Sequence, residues 1–148
     1  MIDMNLDMPQ STCYRHRDDY KYMSHPIDPE FITVQEGSRF KYIFRISFKC
    51  GDMAYVPMSF VVDSGLVTDF LLSSEAMHVL QSNNILSTEN KIELCDDDNC
   101  VYEASVRAVN TKYSQRQQNN YIGIKFIQKY GFIVKGESFR FERNFQFF

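Results

Sequence analysis

Apolar and polar residues alternate along two long segments before residue 63. In residues 40–48 every even-numbered position is Phe, Tyr or Ile, and only Ile43 adds an apolar residue to the opposite face. In residues 54–62 the even-numbered positions are again apolar. A period of two is typical of β-strands with one buried face. Since Cys50-Gly51-Asp52 is typical of a turn, the two segments predict a hairpin whose second strand leads directly into Asp63.

Shorter patterns predict the elements that follow. Residues 70–72 are apolar and predict a brief strand, and Ser73 predicts the N-cap of a helix from Ser74 to about Gln81. Residues 92–94 and 101–109 flank an acidic segment, so they predict a hairpin with an acidic tip. Residues 112–120 predict a polar loop. A second helix is predicted from residue 121 to about 130, because Gly131 suits the position after a helix.

The end of the chain alternates once more. Four phenylalanines predict a terminal strand with one apolar face: Phe139, Phe141, Phe145 and Phe147. The pattern as a whole predicts a mainly β domain over residues 31–148 with two short helices. Residues 1–30 follow neither period, and we expect an N-terminal extension that is less ordered than the rest.

Composition narrows the functional classes. The length of 148 residues suits one core, and the 13 Phe exclude an intrinsically disordered chain. A net charge of −3 without a Lys/Arg run argues against binding to nucleic acid or to an anionic membrane. No apolar run could span a bilayer, and a signal peptide is not recognisable, so we expect an intracellular protein, cytoplasmic or nuclear. A fragment of a longer polyprotein would lack the same signals.

One short motif has the residues of a catalytic carboxylate loop. Asp63-Ser64-Gly65 follows the predicted strand directly, with apolar residues before it. Glycine lets the backbone turn and approach another chain, and a hydroxyl beside an Asp can fix its geometry by a hydrogen bond. Taken alone, the motif favours a plain turn, because many loops contain these residues.

A second motif lies about sixty residues further along the chain. Tyr121-Ile122-Gly123 resembles the apolar-apolar-Gly sequence that opens the last helix of retroviral-type aspartic proteases. The residues up to Val134 fit the helix, glycine and final strand that follow it in that family. The order of predicted elements over residues 32–141 is similar as well. The resemblance implies one protomer with the retropepsin-like acid protease fold, a small closed β-barrel-like domain.

In this fold we expect seven apolar residues around the two motifs to be buried together. They are Phe44, Ile46, Phe60, Val62, Leu71, Ile122 and Phe126.

The resemblance also implies a homodimeric aspartic endopeptidase that needs no metal or cofactor. Each chain of such a dimer brings one Asp, and this chain has a single Asp-Ser/Thr-Gly sequence. Asp63 would be the paired acid/base, Ser64 its orienting hydroxyl, and Gly65 would complete the loop. Two facing carboxylates would share one proton, so that one activates a water and the other polarises the peptide carbonyl. Terminal strands interleave in the family, so we expect the interface at residues 139–148.

Several residues depart from the family's pattern. Leu66 stands where Ala or Ser is usual and would add bulk to the cleft floor, and Asp69 replaces a Ser or Thr. Tyr102 lies in the hairpin at the flap position, where it would serve as a flap aromatic or in ordinary packing. We assign Leu66, Asp69 and Tyr102 to substrate binding. The hairpin tip lacks the family's glycines, and Lys125 stands where Asp or Asn is usual.

These departures keep two other interpretations open. One is a catalytically inactive retropepsin-like module that dimerises or binds a partner peptide or protein in the old cleft. The other is a generic β-rich domain in which both motifs occur by chance.

The hairpin tip has two features of its own. Cys95 and Cys100 flank it, and the expected compartment favours reduced thiols over a disulfide or a pair of zinc ligands. Residues 96–98 are all Asp, but they lack the spacing of an EF-hand loop and predict a solvated acidic turn rather than a calcium site.

Overall fold

The computed structural model describes residues 13–109 and 118–147. Most of the predicted polar loop, residues 112–117, lies outside the described residues. The two helices are α1 (Ser74–Ser82) and α2 (Ile124–Tyr130). The strands are, in chain order, β1 (Glu30–Glu36), β2 (Arg39–Lys49), β3 (Tyr55–Val62), β4 (Phe70–Leu72), β5 (Lys91–Asp96), β6 (Val101–Ala108), β7 (Asn120–Ile122), β8 (Phe132–Lys135), β9 (Ser138–Phe141) and β10 (Phe145–Phe147). The prediction of a mainly β chain with two short helices is confirmed.

The strands form one large sheet and one small hairpin. The large sheet has the order β10-β5-β6-β4-β7-β3-β2-β1, while β8 pairs only with β9. The sheet curls into a half-barrel whose outermost strands are β1 and β10, so the predicted closed barrel is open between these two edges. Short β7 is parallel to β3 and antiparallel to β4, which places it between them.

Several of the predicted strands and helices are present, and short-range patterns in the sequence account for them. The alternating segments before residue 63 pair as antiparallel β2 and β3, with Phe44 opposite Phe60. Helix α1 begins after Ser73, whose Oγ accepts a hydrogen bond from the Ala76 amide at 3.2 Å. None of the described helices is long and apolar enough to cross a membrane.

The core lies on the concave face of the sheet. Five of the seven predicted core residues are buried there: Phe44, Ile46, Phe60, Ile122 and Phe126. Val62 is half-buried at the edge of the same cluster. The prediction for Leu71 is wrong, because Phe70 and Leu72 point into the core and the alternation of a strand turns Leu71 to the opposite face.

The terminal phenylalanines are part of this core. The predicted single strand is interrupted, and its two halves are β9 and β10. Because β10 pairs with β5 of the same chain, Phe145 and Phe147 point inward, and the Phe147 ring stacks on Phe48 with centroids 3.9 Å apart. The terminal segment at which we expected the dimer interface therefore has its phenylalanine side chains buried in the core of its own chain.

The described part of the N-terminal extension packs on the convex face. Asp19 is 2% exposed, and its carboxylate accepts hydrogen bonds from Arg45 at 2.8 Å and from Ser59 at 2.6 Å. Arg45 itself is 4% exposed, although the alternating pattern assigns it to a polar face. This contact explains why both faces of β2 are buried near its middle. The domain boundary at residue 31 stays a prediction.

Replacing Ile122 by alanine should lower the free energy of unfolding by about 2–5 kcal/mol, because the side chain is fully buried beside both motifs. Urea unfolding measures this change. Ile32→Ala is the control, because Ile32 is 38% exposed and should lose much less. Near-wild-type stability of Ile122→Ala would contradict the core described above.

Candidate active-site loop

The Asp63 loop, residues 63–69, connects β3 to β4. Because β7 lies between these two strands, the loop has to pass over the end of β7. The Asp63 amide donates to the Ile122 carbonyl at 2.8 Å, which continues the pairing of β3 with β7 into the loop. The two motifs found in the sequence are therefore in direct contact.

Gly123 fits beneath this loop without space for a side chain. Its amide donates to the Asp69 carbonyl at 2.8 Å, and the next amide, that of Ile124, donates to the Leu66 carbonyl at 2.8 Å. A Cβ on Gly123 would lie 2.2 Å from the Thr68 carbonyl oxygen and 2.7 Å from that of Leu66. The φ of Gly123 is −100°, which any residue can adopt. Glycine is required here by close packing rather than by backbone conformation.

The Asp63 side chain lies at the surface and is partly free. One carboxylate oxygen accepts a hydrogen bond from the Gly65 amide at 2.9 Å, which holds the turn. The other oxygen has no hydrogen-bond partner among the described residues, and the same holds for the Ser64 hydroxyl. A fixed, exposed carboxylate with one free oxygen can accept a proton from a water or share one with a second carboxylate.

The three residues predicted to bind substrate differ in their position relative to the Asp63 loop. Leu66 is half-buried within it. Asp69 is 2% exposed, and its carboxylate accepts hydrogen bonds from the Tyr102 hydroxyl at 2.7 Å and from the Ser105 amide at 2.8 Å. Burial first, and then this bond to Asp69, raise the pKa of Tyr102. Asp69 and Tyr102 thus link the Asp63 loop to β6, and their part in substrate binding stays a prediction.

Tyr121 is a residue near the site that we did not predict. It is half-buried on the convex face, because its neighbour Ile122 points into the core. Tyr121 is opposite Val61 of β3, and the Asp63 amide bonds to the carbonyl of the next residue, Ile122, so Tyr121 lies beside the start of the Asp63 loop. Burial raises the pKa of Tyr121, and the negative charge of Asp63 raises it further. No signal in the sequence pointed to this position, because the predicted start of the second helix at residue 121 is wrong: residues 120–122 form β7, and α2 begins at Ile124.

The hairpin of β5 and β6 has a tip that is held in place. Asp96 is 5% exposed, and one of its oxygens accepts hydrogen bonds from the amides of Asp98 and Cys100 at 2.9 and 3.0 Å. Arg143 forms ion pairs with Asp96 at 3.1 Å and Asp98 at 2.5 Å. The prediction of a solvated acidic turn is therefore wrong for Asp96, because Arg143 and the amides of the tip satisfy its charge. Cys95 is buried and Cys100 exposed, and both thiols are free.

Comparisons of the chain with protein-family models, with curated proteins and with solved structures find no match.

Proposed function

We propose that this chain is one protomer of a homodimeric aspartic endopeptidase of the retroviral type. The contact between the two motifs supports this proposal most directly. Asp63 and Gly123 are far apart in sequence, yet the Asp63 loop is hydrogen-bonded to the start of α2 on both sides of Gly123. A chance occurrence of both motifs gives no reason for this contact.

The proposed site needs two chains, because each contributes one Asp63. The loop that would meet its copy is exposed and includes Val67, an apolar residue that is 70% exposed. In the dimer the two carboxylates would share one proton. The ionised one would act as general base on a water, and the protonated one would donate a hydrogen bond to the peptide carbonyl.

The terminal strand β10 can take part in the dimer through its backbone rather than through its phenylalanine side chains. The phenylalanine side chains of β10 are buried in the core, but β10 is an outer strand of the sheet, and no described strand pairs with its outer edge. A second chain could pair with that edge. Deleting residues 144–148 would remove Phe145 and Phe147 from the core, so loss of the dimer after that deletion would not locate the interface.

The catalytically inactive module is the second candidate, and the hairpin tip favours it. A flap has to open and close over a peptide, whereas Arg143 pairs with two carboxylates of this tip and β10 pairs along β5. Leu66, in the loop itself, adds bulk where the family has a small residue. The module would dimerise or bind a peptide without cleaving it.

Digestion of a peptide library separates these two functions. We expect the wild-type protein to cleave peptides at mildly acid pH, with less activity once the shared proton is lost at higher pH. Asp63→Asn should abolish cleavage and leave the fold intact, because Asn is nearly isosteric. Leu66→Ala should raise the cleavage rate by opening the cleft floor.

Two results would contradict the protease. Cleavage that survives in Asp63→Asn would come from another site or a contaminant. No cleavage in any variant, including Leu66→Ala, would favour the inactive module.

A further inference from the structure

Two apolar residues on the convex face are buried although the core lies on the other face. Ile43 and Val61 are opposite each other on β2 and β3, and each is 4% exposed. Neither belongs to the core cluster on the concave face. Asp63 follows Val61 by two residues, the spacing that turns two side chains to the same face of a strand. Some other part of the chain therefore covers the convex face next to Asp63.

The described N-terminal segment supplies this cover. We call residues 14–23 the strap. At its start, the Tyr14 amide donates to the Asn119 side chain at 2.8 Å, and the Tyr14 hydroxyl contacts the carboxylate of Glu36. Asn119 precedes β7, and Glu36 ends β1, on the far side of β3 and β2 in the sheet order. Tyr14 consequently reaches across the strands that carry Ile43 and Val61.

Other contacts hold the strap independently of Tyr14. Asp19 is buried against Arg45 and Ser59, and Tyr20 accepts a hydrogen bond from Asn120 at 2.8 Å. Met23 pairs with Tyr55 by backbone hydrogen bonds in both directions at 2.8 Å. The strap is therefore fixed at its middle and far end. At its start, next to the Asp63 loop, Tyr14 is fixed by Asn119 and Glu36, and Arg15 forms an ion pair with Glu75 at 2.6 Å.

The electrostatics of Tyr121 agree with this position. Burial contributes most to its raised pKa, and electrostatic interactions with Asp63 and with the Cys13 side chain raise it further. Cys13 immediately precedes Tyr14, so the start of the strap and the candidate catalytic carboxylate lie near the same tyrosine.

We propose that the strap is an autoinhibitory contact: Tyr14 covers the convex surface beside Asp63 along which an extended peptide would lie, and has to leave before the peptide can bind. This inference rests on the proposed function, because it takes a peptide as the occupant. The apolar side chains of Ile43 and Val61 would then line the surface that the peptide reaches.

Peptide binding without cleavage tests the contact. All variants carry Asp63→Asn, and binding of fluorescein-labelled random decapeptides is followed by fluorescence polarisation. We expect Tyr14→Ala to bind at least about tenfold more tightly than its parent, since the surface no longer has to be uncovered first. Tyr22→Ala is the matched control. It removes a tyrosine from the other end of the strap, where the hydroxyl accepts a hydrogen bond from Asn83 at 2.9 Å, and should bind like the parent.

Glu36→Ala releases the Tyr14 hydroxyl without changing the strap, and it replaces Tyr14→Ala if that variant does not fold. Equal peptide binding by the parent and by Tyr14→Ala, or by Glu36→Ala where it replaces that variant, would overturn the inference. The same holds if neither protein binds peptides. If the released variant binds peptides more tightly but no protein that keeps Asp63 cleaves them, the strap is still an autoinhibitory contact and the protease is rejected.

Discussion

Replacing Gly123 by alanine is expected to lower the free energy of unfolding by about 3 kcal/mol or more, the upper range for overpacking. The new methyl group would lie 2.2 Å from the Thr68 carbonyl oxygen and 2.7 Å from that of Leu66. Both atoms belong to backbone that is already hydrogen-bonded to the start of α2, so neither can move without breaking those bonds. The Asp63 loop should shift as a result, and hydrogen exchange of its amides should accelerate.

Gly37→Ala is the matched control for this variant. Gly37 has a φ of +63° and nothing within 4 Å of its would-be Cβ, so alanine meets only backbone strain there. Such strain costs about 1–2 kcal/mol. Urea unfolding of both variants compares the two costs. A loss in Gly123→Ala no larger than that in Gly37→Ala would contradict the close packing of the loop on α2.

Replacing Asp19 by alanine is expected to cost about 3–5 kcal/mol, as when one partner of a buried ion pair is removed. The guanidinium of Arg45 would lose its buried partner, and among the described carboxylates only that of Glu30, at 2.9 Å, would remain to neutralise it. One guanidinium nitrogen of Arg45 already lacks a partner among the described residues, so the site has no spare acceptor. The Ser59 hydroxyl would lose its acceptor as well.

The neighbouring Asp18 provides the control. Its carboxylate lies 3.5 Å from the ammonium of Lys21 at the surface, where an ion pair contributes about 1 kcal/mol or less. Chemical denaturation of both variants should therefore separate them clearly. Equal stabilities of Asp18→Ala and Asp19→Ala would show that the described N-terminal segment is not anchored on the sheet.

Local patterns in the sequence predicted much of the fold. The hairpin before Asp63 follows from strict alternation, and α1 starts at Ser73 because a serine at that position caps a helix. The hairpin around Cys95 and Cys100 is also present, because apolar strands flank a polar tip. In each of these elements the decisive interactions join residues that are near in sequence.

Long-range contacts could not be predicted in the same way. Arg45 has the spacing of a solvent-facing residue, and the buried ion pair with the distant Asp19 makes its burial possible. The phenylalanines after residue 138 look like one strand, but the amides of Glu142 and Arg143 bond to the end of α2 and turn the chain. Leu71 was assigned to the wrong face because a three-residue strand shows too little alternation to fix its orientation.

At the candidate site, too, the short motifs could be predicted from the sequence and the long-range contacts could not. Asp63-Ser64-Gly65 is recognisable as a motif, and the glycine of the second motif sits against its loop. The proximity of Tyr121 to Asp63 depends on the insertion of β7 between β3 and β4, which no single segment encodes. The same holds for the bond between Asp69 and Tyr102, which joins the Asp63 loop to β6.

In the proposed dimer one active site takes an Asp63 from each of two chains, and mixing chains tests this proposal most directly. Wild-type and Asp63→Asn proteins are combined in equal amounts, left to exchange subunits, and assayed for peptide cleavage at mildly acid pH. Random pairing leaves about a quarter of the dimers with two aspartates, so activity should fall to about a quarter of that of the same total amount of wild-type protein. A fall to only about half, as for chains that act singly, would contradict the account.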